Sequence, residues 1–184
     1  LSGLKKIQLA DREKQIQLFF KSNISNYIHY KNRQHWSGYV KASYHWGAYR
    51  RLEYMVSHLN DYYLRHYKDL DITVNQLFTC SFTDREQRLL VSHPIKLRLW
   101  VTGSLSYIQR YYDRSFTEFD SDIVTTALKV SKRFRDFGTV SVEGKYGIAD
   151  NITFEKVAKS SNLDRSYRHM ELYIPMSYDQ GVLG

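Results

Sequence analysis

Apolar and polar positions alternate along much of the chain, and the period of that alternation changes twice. Over 15–31, Ile16, Leu18, Phe20, Ile24, Ile28 and Tyr30 share one side, while Gln17, Lys21, Asn23 and Ser25 share the other. A period of two predicts a long half-buried strand, or two strands broken near 22–26. The polar and aromatic run 32–38, "NRQHWSG", reads as a loop. Over 43–66 the period lengthens: Ala48, Leu52, Met55, Val56, Leu59 and Tyr63 form the stripe of a helix of about six turns, with Ser43 as its N-cap.

Further on, 72–82 is rich in β-branched and aromatic residues and predicts a strand, and 83–88, "TDREQR", a polar turn. The span 89–101 alternates, with Pro94 marking an edge position or bulge. A turn at Gly103-Ser104 and a strand over 105–112 follow. From Ser121 the stripe Ile123, Ala127, Val130, Phe134 and Phe137 predicts a second helix. Glu118, Asp120 and Asp122 lie near its start and Lys129 to Arg135 near its end, as the helix dipole favours; Gly138 is its stop. The segments 139–142 and 148–154 read as a hairpin around "EGKYG", 156–164 as a polar connection or short helix, and 167–174 as a last strand.

This order predicts an α+β fold: a mainly antiparallel sheet with two main helices packed on it. Residues 1–14 are expected to form a flexible N-terminal segment and 15–184 a single globular domain. The 184 residues suit one domain. With a net charge of +8 and a pI near 9.4, the chain should be drawn to polyanions. The lone Cys80 allows no internal disulfide and suits a reducing compartment; in its apolar strand it reads as core packing. No apolar run approaches the roughly 20 residues of a transmembrane helix, and no signal peptide is visible.

Candidate chemistry is sparse. Seven histidines are scattered without zinc-ligand spacing, "DRSFTEFDSD" lacks the glycine and final glutamate of a calcium loop, and Ser104 lacks a nucleophile elbow. No cofactor and no catalytic residue is assigned. One enzymatic alternative remains: a Mg²⁺-dependent nuclease built on Glu143 and Lys145, with Asp122 or Asp136 as partner carboxylate. The strongest diffuse signal is basic clusters interleaved with tyrosine, of which the chain has 16. The expected polyanion-binding residues, for RNA or lipid, are Lys129, Lys132, Arg133 and Arg135, then Arg50, Arg51 and Arg65.

The predicted order resembles that of rhabdovirus matrix proteins. "IQLFFKSNISNYIHY" stands before a long predicted helix carrying "YRRLEYMVSHLNDYY". "IKLRLWVTGSLSYIQRYY" is similar to the family's late strands, and "FDSDIVTTALKVSKRFRDFGTVSVEGKYGIADNITF" to its closing helix, Phe-Gly stop and hairpin. The resemblance implies a non-enzymatic structural protein that self-associates and condenses the viral nucleocapsid. It would link that nucleocapsid to the anionic inner face of the envelope membrane and to the envelope glycoprotein. Its expected location is the virion beneath the envelope, the host cytoplasm and membrane inner face, and the nucleus. No Pro-Pro-x-Tyr motif and no Lys- and Pro-rich arm is present, which suits a divergent, plant-infecting member. A non-assembling RNA-binding module is the third reading.

Overall fold

The computed structural model describes residues 1–8, 14–27, 29, 33–68, 77–135, 138–153 and 165–177. Ten strands form one antiparallel sheet: β1 (Ser2–Gln8), β2 (Lys14–Ser25), β3 (His35–Trp46), β4 (Arg51–Lys68), β5 (Leu77–Lys96), β6 (Leu99–Tyr112), β7 (Ser121–Phe134), β8 (Gly138–Asn151), β9 (Tyr167–Tyr173) and β10 (Met176–Ser177). From β1 to β8 each strand pairs with its sequence neighbour. β9 and β10 both lie along the far side of β8, in one continuous register interrupted at Ile174 and Pro175. There the Ser141 backbone N–H donates to the Pro175 carbonyl at 3.0 Å. β1 and the β9–β10 pair are the two edges.

The α+β expectation is overturned. No helix of seven or more residues is present among the described residues, and both predicted helices are strands. The stripe assigned to 43–66 runs through the end of β3, a turn at 47–50 and most of β4. The one assigned from Ser121 is β7, and Gly138, at φ 114°, opens β8 instead of ending a helix. Ser43, the expected N-cap, is buried in β3 and donates to Glu53 Oε2 at 3.4 Å.

Helical spacing misled because both strand faces carry some apolar residues. In β7, Val124, Leu128 and Val130 point one way, while Ile123 and Ala127 point the other, and together they imitate a 3.6-residue stripe. The turns expected at 83–88 and 103–104 lie inside β5 and β6, and the hairpin expected around "EGKYG" is the single strand β8. A turn missed at 97–98, with Arg98 at φ 62°, splits the strand expected over 89–101. Pro94 does mark a bulge, as a register shift lies between Pro94 and Lys96. The segment called flexible contains β1, and 156–164 lies outside the described residues.

The connections alternate in length. At one end of the sheet β3–β4, β5–β6 and β7–β8 are separated by 47–50, 97–98 and 135–137. At the other end the separations are 26–34, 69–76, 113–120 and 152–166. All turns of the first set are short and all of the second are longer. Of the second set, 113–120 holds a 3₁₀ segment, Arg114–Phe119, with Phe116 buried beneath it. The Asn151 side-chain amide donates to the Glu118 carbonyl at 2.5 Å, and the Ile152 N–H to the Asp120 carbonyl at 2.9 Å.

Candidate functional site: an inside-out sheet with a charged groove

Residues directly opposite one another in a sheet share a face, so the register sorts the side chains. One row reads Leu18, Ala42, Tyr54, Leu89, Leu105, Thr126, Tyr146 and Met170 across β2 to β9. The next, on the opposite face, reads Ser43, Glu53, Leu90, Ser104, Ala127, Lys145 and Glu171. One face is thus dominated by apolar side chains and the other by polar ones.

The curvature decides which is inside. A groove of about 700 Å³ is lined by side chains from all of β4 to β9. Its strand-borne lining residues in β4 to β9, from Arg51 and Arg88 to Lys145 and Glu171, belong to the polar face. Six adjacent strands can wall one groove only if the sheet bends around it, so the polar face is concave and the apolar face convex.

Burial follows the same inversion. The buried residues are mostly small and polar: Ser43, Ser92, Ser106, Ser131 and Ser141 all lie on the concave face, beside Ile123 and Ala149. The convex Val40, Leu105, Leu128, Val142 and Leu172 are exposed, Leu128 by 59%. A water-soluble domain of this size buries its branched apolar side chains; this sheet turns them outward. The convex apolar band ends in polar residues, with Lys14, His93 and Lys132 at the short-turn end and Arg85, Asp122, Asp150 and Arg168 at the other.

The ion pairs, most of them between neighbouring strands, lie in the groove or on its flanks. Arg110 grips Asp84 through two bonds of 2.8 Å, with its guanidinium 4.7 Å from the centre of the Phe82 ring. Lys41 meets Glu53 at 3.6 Å, and Arg88 meets Glu86 at 2.7 Å. A looser chain follows: Lys129 to Glu143 at 3.8 Å, Lys145 to Glu143 at 3.9 Å and Lys145 to Glu171 at 3.9 Å. Ser141 donates to Ser131 at 2.9 Å, and Thr102 to Ser92 at 3.1 Å. At the short-turn end Tyr49 stacks on Trp100 with ring centres 4.3 Å apart.

The basic residues expected to form one polyanion surface are divided between faces. Lys129 and Arg51 line the groove. Lys132 stands on the convex face, 5.1 Å from the centre of the Phe134 ring. Arg133 shares the parity of Lys129; its backbone N–H donates to the Arg98 carbonyl at 2.9 Å. Arg50 and Arg135 are exposed in the short turns. Arg65 pairs with Cys80 in the β4–β5 ladder, and its side chain lies outside the described residues. A helix would have gathered Lys129, Lys132 and Arg133 on one surface; a strand divides them by odd and even position.

The nuclease pairing is not assembled. Glu143 is engaged by two lysines, and Asp122 lies on the opposite face, seven register steps or roughly 23 Å away. Asp136 lies outside the described residues. Among the described residues no group of three His, Cys, Asp or Glu could hold a metal. Arg88 was missed because 83–88 read as a polar turn, and the convex apolar rows because their spacing read as helical; for the rows the signal was the alternation in "LKVSK" and "LEYMVS". No protein-family model, curated protein or solved structure matches this chain.

Proposed function

We propose that this chain forms a wall of a membrane-spanning β-barrel, with its convex face against lipid and its concave groove in a water-filled lumen. The observation that carries this reading is the inversion itself: apolar outside the curve, salt-bridged inside. In water, the exposed rows of Val, Leu and Phe would leave a large apolar surface unpartnered. In a bilayer the same rows are satisfied, and the interior strands are paired along their lengths apart from the bulges in β4 and β5.

Three further observations support it. Strands of 12 to 20 residues from β2 to β8 exceed the roughly 9–11 needed to span a bilayer. Alternating short and long connections are the usual arrangement of such barrels, as is outward alternation of apolar residues. The apolar run from Leu99 to Tyr107 on β6 covers roughly 26 Å along the strand at ~3.3 Å per residue, or about 20 Å of bilayer thickness at the usual tilt. No helix among the described residues is long and apolar enough to cross a membrane, and this reading needs none.

The matrix-protein reading loses its support with the two helices, because its resemblance was one of helix and strand order. A non-enzymatic role carries over into the barrel proposal; the virion location does not.

The test uses the three tryptophans. Trp36 and Trp46 share the convex parity, and Trp100 lines the groove. In vesicles of brominated phosphatidylcholine, variants retaining only Trp36 or only Trp46 should be strongly quenched, and one retaining only Trp100 should be spared. Equal quenching of all three, or none of any, would overturn the proposal.

A further inference from the structure

We infer that the groove is selective for small hydrophilic anions, such as inorganic phosphate or carboxylates, with Arg51, Arg88, Lys129 and Lys145 as the contacting cations. This rests on the barrel reading and specifies what the lumen admits.

Four cations and two carboxylates, Glu143 and Glu171, line the groove. With Arg88 held by the adjacent Glu86 at 2.7 Å, the other three cations still exceed the two carboxylates by one before His169 is counted. The cations cover its width. Arg51 enters from β4, Arg88 from β5, Lys129 from β7 and Lys145 from β8. Arg51 and Lys129 occupy the same register row, joined through Ser92 and Thr102. Between the cations the wall is hydroxyl-bearing: Thr102, Ser104, Ser106, Thr125, Ser131 and Ser141. Hydroxyls donate to an anion without adding negative charge.

The pairing is loose where an anion would enter. Lys129 and Lys145 stand 3.8–3.9 Å from their carboxylates, beyond ordinary hydrogen-bond length. Arg51 has no carboxylate within ion-pair distance among the described residues. Such ammonium and guanidinium groups exchange partners at little cost, whereas the bidentate Arg110–Asp84 pair would not. A positive wall also concentrates anions from solution before any contact is made.

The experiment is ion conductance of the full chain in planar bilayers under a KCl gradient, followed by block with phosphate. The expected result is a reversal potential displaced toward that of chloride, a several-fold preference over potassium, and reduced conductance in millimolar phosphate. Arg51→Glu should lower the chloride preference several-fold. Lys132→Gln, on the convex face, should leave it unchanged. An open channel with no ion preference, or one favouring potassium, would overturn the inference while leaving the barrel in place. An absence of conductance together with a failed tryptophan test would overturn both.

Discussion

Leu128 and Lys129 are consecutive in β7 and face opposite environments: Leu128 projects from the convex face, while Lys129 Nζ lies 3.8 Å from Glu143 Oε2 in the groove. The contrast within one dipeptide summarises the sheet's chemistry, and it makes the two positions respond differently to the same substitution.

Leu128→Arg places a charge at the middle of the convex band. In a bilayer such a change costs ~2–4 kcal/mol near the midplane. On a solvated surface it would fall within ~0.5 kcal/mol. Urea unfolding of both forms in phosphatidylcholine vesicles measures the difference, and a change of less than ~0.5 kcal/mol would argue against lipid contact at this position.

Breaking the tightest ion pair should matter more than breaking the loose ones. Asp84→Ala leaves the part-buried Arg110 without its two 2.8 Å bonds, at an expected cost of ~1.5–3 kcal/mol. Glu171→Ala, removing a 3.9 Å ion contact and an exposed hydrogen bond from the Tyr173 hydroxyl at the sheet edge, should cost ~1 kcal/mol or less. A double-mutant cycle with Arg110→Ala isolates the first coupling, which should be the larger of the two.

Asp120 gives a pH-dependent signature at the long-connection end. Its carboxyl is pushed above the usual Asp range by burial, opposed in part by the Tyr112 backbone N–H that donates to Oδ1 at 2.6 Å. A raised carboxyl favours the folded state most where it is protonated in both states, below the ordinary Asp range. That contribution is lost as pH rises through the elevated value. Asp120→Asn keeps the acceptor oxygen and should flatten the pH dependence, with stability at neutral pH equal to or above wild type. Asp120→Ala removes the titration as well but also loses the acceptor, so it should lie ~1 kcal/mol below Asp120→Asn at every pH.

Gly147 makes room for its cross-strand partner. A Cβ at this position would sit 2.0 Å from His169 Cε1, so the imidazole lies where a side chain would otherwise stand. Gly147→Val should force the ring away and loosen the β8–β9 edge, raising amide hydrogen exchange at Met170 and Leu172. Adding His169→Ala to that variant should restore much of the protection.

Much of the strand content was legible wherever alternation was clean. β2 and β9 follow the period-two pattern closely, and the Pro94 irregularity was foreseen because proline cannot donate to a ladder. The rest was hidden by a physical ambiguity. Where a concave wall carries Met55, Leu59, Ile123 or Ala127 among its polar groups, apolar residues appear on both parities and mimic a helical stripe. The charged groove was harder still to foresee. Its cations come from four strands, and only the register brings Arg51 into the same row as Lys129, across 78 positions of sequence. Partners so distant leave no local spacing to read.

The two edges set an arithmetic condition on any closed ring. Because β9 and β10 are one interrupted strand, the sheet is nine strands wide, and in an up-and-down order the first and ninth strands run the same way. Joining β1 directly to β9 would therefore make a single parallel seam in an otherwise antiparallel wall. A seam-free ring requires an odd number of additional strands between them, and the first of these must travel from the short-turn end toward the long-connection end.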